Sequence, residues 1–211
     1  MIIGAGGSLG KSVCNLLREK DYNVVAVDND ENSVSYLCKI HNLPEDKIFI
    51  EDVRNFDKLK VIIEYHNIDT VVNCSALKHV MWCETNMRYA IEVNILANLE
   101  LMNYLNKKNK KFIYISSDKA INPKNVYALT KQFTDYIVQY YKFKLVRGVN
   151  FLNSNGSVLE MWDKQRTYGK PFTVVKEDKC NRYFVTLSDM ANIVKKAIDD
   201  NKKMVQLGKS W

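Results

Sequence analysis

Three apolar residues, Met1-Ile2-Ile3, run into Gly4-Ala5-Gly6-Gly7-Ser8-Leu9-Gly10, and an amphipathic stretch follows from Lys11 to Lys20. A strand, a glycine turn and a helix in that order restrict the possible folds more than any other feature of the sequence. Glycines allow the chain to reverse tightly, let backbone amides approach a ligand, and let the helix pack close to the strand. The amides from Gly4 through Gly6, Gly7, Ser8, Leu9 and Gly10, together with the positive end of the helix dipole, suit a pyrophosphate. Taken alone, the same turn is compatible with a plain tight loop. The rest of the chain has to decide.

The next apolar run, Asn23-Val24-Val25-Ala26-Val27, ends in Asp28. An acidic residue about 20 residues beyond such glycines is placed to accept hydrogen bonds from an adenosine ribose. Asn29 adjoins it, and the stretch Asp28-Asn29-Asp30-Glu31 has no Arg or Lys to receive a 2′-phosphate, so electrostatics favour NAD over NADP. Asp30 is suited to cap a helix from Asn32 to Ile40. A third strand, Lys47-Ile48-Phe49-Ile50, leads to Asp52 and Val53, which are placed to flank an adenine. After a helix from Phe56 to His66 comes a fourth strand, Thr70 to Cys74. Ser75 and Ala76 are small enough there for a nicotinamide ribose and a sugar to approach the backbone, with Lys78 and His79 adding polar groups. Short β-rich runs alternating with helical patterns predict an α/β fold with a parallel sheet in right-handed βαβ units.

A long helix is expected from Met87 to Leu105, with Asn94 inside it. Asn is mildly unfavourable in a helix interior, so its side chain is either exposed or hydrogen-bonding in the core; the second, with a structural role, is the expectation. An apolar run, Phe112-Ile113-Tyr114-Ile115, then reaches Ser116-Ser117-Asp118-Lys119 and a helix carrying Tyr127 and Lys131. Strand ends of open α/β sheets are where chemistry is placed. Tyr127 and Lys131 are one helical turn apart on one face, and an ammonium beside a phenol is expected to lower its pKa. Such a pair is by itself more often an ordinary surface pair.

The 211 residues suffice for one well-buried domain, with 46% hydrophobic and 26% charged residues. No apolar run approaches the roughly 20 residues of a membrane span, and no signal peptide is recognisable. Five cysteines without metal-ligand spacing are read as reduced thiols of a cytoplasmic protein, and no metal is expected. The net charge of +7 is spread along the chain. Its one cluster, Lys107 to Lys111, reads as a solvated helix end, and no nucleic-acid motif accompanies it.

Residues 1–149 are expected to form the dinucleotide-binding part and residues 150–211 a small substrate-binding region. The latter comprises a polar loop around Asn150 to Val158, a helix to Arg166, a strand at Phe172 to Val175, the run Asn181 to Thr186, a helix from Ser188 to Asp199 and a last strand, Met204 to Leu207.

Four blocks in order give a specific resemblance: Ser75-Ala76-Leu77-Lys78-His79-Val80; Ser116 through Pro123 to Tyr127 and Lys131; Asn150 with Ser154-Asn155-Gly156-Ser157-Val158; and Asn181-Arg182-Tyr183-Phe184-Val185-Thr186. With them the chain resembles extended short-chain dehydrogenases/reductases, and more narrowly the nucleotide-sugar dehydratases acting on UDP-N-acetylglucosamine. The resemblance implies a Rossmann-like doubly wound sheet, a tightly bound NAD regenerated each cycle, a UDP-sugar substrate and a homodimer or higher oligomer. It implies that Tyr127, helped by Lys131 and Ser117, takes the 4-hydroxyl proton while C4 is oxidised. Lys119 then removes the C5 proton, Asp118 protonates the departing 6-hydroxyl, and hydride returns to C6, with or without inversion at C5. Contacts to the dinucleotide would come from the glycine turn, Asp28, Asn29, Asp52, Val53, Cys74, Ser75, Ala76, Lys78, Asn94, Tyr127 and Lys131. Contacts to the substrate would come from Lys78, His79, Asn150, Ser157, Val158 and Arg182. The chain departs from the family pattern at Ile3, Ala97-Asn98, Ala128 and Asn155, which replaces an Arg, and it ends soon after its last strand. A 4-epimerase, which shares Tyr127 and Lys131 but does not need Asp118 and Lys119, is the alternative enzyme; an NAD-binding protein without turnover is the alternative of another class.

Overall fold

A computed structural model describes residues 1–41, 43–174, 182–200 and 206–207. The strands are β1 (Ile2–Ile3), β2 (Ala26–Asp28), β3 (Ile48–Ile50), β4 (Thr70–Asn73), β5 (Lys111–Ser117), β6 (Lys144–Gly148), β7 (Asn150–Phe151), β8 (Phe184–Val185) and β9 (Gln206–Leu207). The helices are α1 (Ser8–Glu19), α2 (Glu31–His41), α3 (Phe56–Tyr65), α4 (Val80–Thr85), α5 (Met87–Ile91), α6 (Ala97–Lys107), α7 (Val126–Tyr140), α8 (Val158–Thr167) and α9 (Leu187–Asp199). Seven parallel strands form one sheet in the order β3-β2-β1-β4-β5-β6-β9. The expected doubly wound, Rossmann-like architecture is present.

The period of two along each strand divides its apolar residues between the two faces. Phe112 and Tyr114 of β5 join a core with Leu59, Leu101 and Leu105 from α3 and α6. Ile113 and Ile115 join the opposite core, with Val13 and Leu17 from α1 and Met190 and Val194 from α9. With helices on both faces, β5 has no side open to water, which is why its sequence is almost continuously apolar. The strand order reverses between β1 and β4, opening a crevice at their carboxyl ends.

Three local expectations need correction. The segment from Met87 to Leu105 is not one regular helix: α5 and α6 are joined by a π-helical turn, Glu92–Leu96, centred on Asn94. Phe172 to Val174 is not a strand. Side chains of α8 take its bonding groups instead: Trp162 Nε1 donates to the Thr173 carbonyl at 2.8 Å, and Gln165 Oε1 accepts the Thr173 N–H at 3.1 Å. The loop beginning at Asn150 starts as a strand, since β7 pairs with β8 in a separate two-stranded sheet. Val175, Asn181, Met204 and Val205 lie outside the described residues. Among the described residues no helix is long and apolar enough to cross a membrane.

Candidate active site

The glycine turn occupies a position that only glycine fills without strain. Gly4 has φ +73°, and a Cβ there would stand 2.6 Å from the Ser75 amide nitrogen. At Gly10 a Cβ would lie 2.1 Å from the Gly4 carbonyl oxygen, so α1 packs directly on the turn. Gly7 precedes α1 without a capping side chain, which leaves the first-turn amides of the helix facing the crevice. Together with β2, β3 and the segment after β4, the turn borders a cleft of about 440 Å³, within the size range of small-molecule sites. Gly4, Gly6, Gly7, Ser8, Leu9, Gly10, Asp28, Asn29, Asp52, Val53, Cys74, Ser75, Ala76 and Lys78 all line it. These positions come from four separate stretches of chain.

At one end of the cleft, Asp28 Oδ2 accepts the Gly6 N–H at 2.8 Å and Oδ1 accepts the Asp30 N–H at 3.0 Å. Asp30 caps α2 by accepting the Ser33 N–H at 3.1 Å. Asp52 is held by a neighbour that the sequence reading had not used. Arg54 donates to it through Nη2 at 2.9 Å and Nε at 3.0 Å, and this pairing keeps its carboxyl below the usual range. The Arg54 guanidinium also lies 4.4 Å from the ring centre of Tyr89. Tyr89 is a lining residue that sequence reasoning missed; an exposed aromatic in a helical run carried no signal.

Asn94 does not line the cleft. It is 1% exposed and supports the wall from behind. Its Oδ1 accepts the Leu77 N–H at 2.9 Å, while Nδ2 donates to the Leu77 carbonyl at 3.0 Å and to Thr130 Oγ1 at 3.0 Å. The Asn94 carbonyl accepts from Asn98 Nδ2 at 3.0 Å and from Thr134 Oγ1 at 2.8 Å. Asn98 Oδ1 in turn accepts from Asn73 Nδ2 at 2.9 Å. The expected core hydrogen bonding of Asn94 is therefore found, but in the loop and α7 rather than at the cleft. Asn73, Asn98, Thr130 and Thr134 were missed, because a polar residue in an apolar run looks the same whether it is satisfied or not.

The segment from Ser117 to Lys131 lies beside this wall rather than in it. Asn125 caps α7 by accepting the Ala128 N–H at 2.9 Å, which makes Tyr127 its second residue. Ser117 favours the charged form of the Tyr127 phenol and donates to Asp118 Oδ1 at 3.0 Å. The Lys119 ammonium donates to Asp118 Oδ1 at 3.3 Å and to Asn150 Oδ1 at 3.3 Å. Lys131 is 4% exposed and donates to the Ile115 carbonyl at 2.9 Å. Burial lowers its pKa to about 8. The expectation that Lys131 lowers the Tyr127 pKa is not met in this structure. Burial and the Asp118 carboxylate raise the phenol, outweighing Ser117.

Asn150, on β7, joins this cluster and is fixed by donating to the Tyr183 carbonyl at 2.9 Å. The loop after β7 reaches the cleft, where the Asn155 N–H donates to Ser8 Oγ at 2.9 Å and its carbonyl accepts from Lys78. His79 packs on Gly156, where a Cβ would stand 2.8 Å from its ring. Ser157 caps α8 by accepting the Glu160 N–H at 3.2 Å, and Val158 begins that helix. Arg182 is exposed, just before β8. The structure thus gathers Ser117, Asp118, Lys119, Tyr127 and Asn150 at one strand end, while His79, Ser157, Val158 and Arg182 lie outside the cleft lining.

A family model for polysaccharide biosynthesis proteins matches residues 1–206. The chain belongs to that family. Its relatives include an uncharacterized membrane protein of Methanocaldococcus jannaschii, 34% identical over 93% of this chain and 62% of that protein. Another is a UDP-N-acetylglucosamine 4,6-dehydratase (inverting) of Campylobacter jejuni, 28% identical over 92% of this chain and 61% of the enzyme. This member of the family therefore spans less than two thirds of the length of those relatives. In three dimensions it superposes on Pen from Bacillus thuringiensis with a TM-score of 0.87 and 27% identity, covering 95% of this chain and 64% of that one. It also shares its fold with the UDP-glucose 4-epimerase of Bifidobacterium longum, solved with NAD+ and UDP, at a TM-score of 0.85 and 20% identity over 98% and 77% of the two chains. The resemblance to extended short-chain dehydrogenases/reductases of the dehydratase type holds.

Proposed function

We propose that this chain carries the NAD-binding part (residues 1–149) and a small substrate-binding region (residues 150–211) of a UDP-N-acetylglucosamine 4,6-dehydratase acting in the cytoplasm. The observation that carries the reading is the contact of Lys119 with both Asp118 and Asn150 beside Ser117 and Tyr127. An oxidation at C4 alone needs Tyr127 and Lys131; an acid and a base side by side are needed only when water is also lost.

The cleft fits a dinucleotide on its own geometry. Gly4 and Gly10 stand where any side chain would overlap backbone, and the uncapped start of α1 faces an anion site. The glycine turn and Ser8 would hold the pyrophosphate, and Asp28 with Asn29 the adenosine ribose. A 2′-phosphate would be set against the Asp28 carboxylate, so NAD is the proposed form. A bound nicotinamide supplies reversible oxidation at C4 and returns the same electrons at C6.

Tyr127 acts as the phenolate: its own proton is first lost to solvent, and the oxygen then takes the proton of the sugar 4-hydroxyl, with Ser117 favouring that charged form and Lys131 as the nearby cation. The resulting 4-keto group acidifies C5. Transfer of one proton across the Asp118–Lys119 contact leaves a free amine and a carboxylic acid. The amine removes the C5 proton, and the acid protonates the 6-hydroxyl as the C6–O bond breaks and water leaves. Each positioned proton transfer is worth about 10²–10⁴-fold in rate. Asn150 orients Lys119, and Lys78, His79, Ser157, Val158 and Arg182 are assigned to the UDP-sugar.

Incubation with UDP-N-acetylglucosamine and NAD tests the reading: a product lighter by one water supports it, and an isobaric product identifies a 4-epimerase. The fold shared with NAD-bound epimerases keeps that second reading in view. The exposed Leu129, Phe133, Tyr136 and Tyr140 on α7 support a homo-oligomer formed through this helix.

A further inference from the structure

Arg147 stands at the junction of the two elements that carry the proposed proton-transfer groups. Its Nη2 pairs with Asp135 Oδ2 at 2.9 Å, with side chains 15% and 6% exposed. Its Nη1 donates to the Ser117 carbonyl at 2.9 Å and to Ser116 Oγ at 3.3 Å. Asp135 follows Lys131 by one turn of α7, as Lys131 follows Tyr127, so the three share a face of that helix. Arg147 lies on β6, directly opposite Ser116 of β5. One guanidinium thus ties the helix bearing Tyr127 and Lys131 to the strand end bearing Ser117, Asp118 and Lys119.

We propose that Asp135 and Arg147 are a positioning pair: Arg147 fixes the register of Tyr127 and Lys131 against Ser117, and Asp135 supplies the countercharge of the Lys131 ammonium. The proposal rests on the reading of Tyr127 and Lys131 given above and goes beyond it by assigning roles to two residues outside the reacting set.

The surroundings of Lys131 leave this role to Asp135. From β5 the Tyr114 ring centre lies 4.5 Å from the ammonium; Cys74, just after β4, and Cys83 of α4 are the thiols whose charge would act on it, and Tyr127 stands one turn before it on α7. Burial pushes Cys74, Cys83, Tyr114 and Tyr127 up, so all four are neutral near pH 7. Asp135 is the carboxylate among these neighbours; burial raises its pKa above the usual carboxylate value, and Ser116, Arg147 and Lys131 act against that rise. A buried ion pair is seldom retained for stability, since well-packed apolar residues do as well. Its forked donors serve geometry better. Lys in place of Arg keeps the charge but cannot bridge Asp135 and the Ser117 carbonyl through one planar group.

The test is an NMR titration of Lys131 in the full chain labelled with ¹³C-lysine, for wild type, D135N and R147K. In D135N the Lys131 midpoint is expected to fall by about one pH unit or more; an unchanged midpoint overturns the countercharge. In R147K the midpoint is expected to stay near that of wild type while turnover falls about tenfold or more across the pH range; unchanged turnover overturns the register role. Should D135N not fold, the double variant D135N/R147M removes both charges together, and the same titration decides. If the wild type turns over no nucleotide sugar, the proposed function fails while the Lys131 midpoint in D135N still decides the countercharge, and the backbone amide shift of Asp118 in R147K decides the register, a wild-type shift overturning it.

Discussion

Asn94 holds Leu77 by both of its backbone groups, accepting the N–H at 2.9 Å and donating to the carbonyl at 3.0 Å. Leu77 lines the cleft next to Ala76 and Lys78, so a helix residue that never reaches the cleft sets the shape of its wall. Replacing Asn94 by Leu removes these bonds and leaves Leu77 and Thr130 without their partner. The expected cost is about 1–3 kcal/mol of stability. Thermal unfolding measures it, and faster hydrogen exchange at the Leu77 amide would locate it.

The glycine turn gives a sharper prediction. A methyl group at Gly4 meets the Ser75 backbone and also requires φ +73°, a region that costs a non-glycine residue about 1 kcal/mol or more. Gly4→Ala is expected to unfold at a lower temperature and to bind NAD at least tenfold more weakly. Isothermal titration of the folded variant separates the two effects, and wild-type affinity would count against the assignment of the turn to the pyrophosphate.

Tyr127→Phe keeps the ring and loses only the hydroxyl. Turnover is expected to fall by about 10²–10⁴-fold, with thermal stability close to that of wild type. Retained turnover would exclude Tyr127 as the group that takes the 4-hydroxyl proton.

Lys131 makes stability depend on pH in a definite direction. Its pKa falls from 10.5 to about 8 on folding because burial disfavours the ammonium. Between those values the unfolded chain binds more protons than the folded one, so stability contributed by this group rises as pH increases from about 8 to 10.5. Lys131→Met is expected to lose that rise. Urea unfolding at a series of pH values, compared between the two proteins, checks the sign. Activity that needs the ammonium is expected to decline over the alkaline side of the same pKa.

The face of α7 that carries Leu129, Phe133, Tyr136 and Tyr140 repeats at helical spacing and is exposed along its length. Phe133→Glu is expected to convert an oligomer into monomers in sedimentation. A wild-type chain that sediments as a monomer at micromolar concentration would rule out the α7 interface.

Much of the molecule was legible before any coordinates. The alternation of strands and helices, the glycine turn and Asp28 at the end of β2 are local properties, fixed by periodicity and by the conformational freedom of glycine. They led directly to a doubly wound sheet with a cleft at its switch point. The blocks around Ser117 to Lys131 and Asn150 identified the cluster now seen at the end of β5, although not its internal contacts.

What the sequence by itself determined, then, was which residues could form strands and helices and where the chain had to turn, because backbone sterics and apolar periodicity act over a few residues. Only the tertiary structure decided that Asn94 faces Leu77, that Arg54 takes Asp52, that Arg147 joins Asp135 to Ser117, and that burial raises the Tyr127 pKa. Each of those depends on which distant group fills the last few ångströms around a polar atom, and on how much water the packing leaves there.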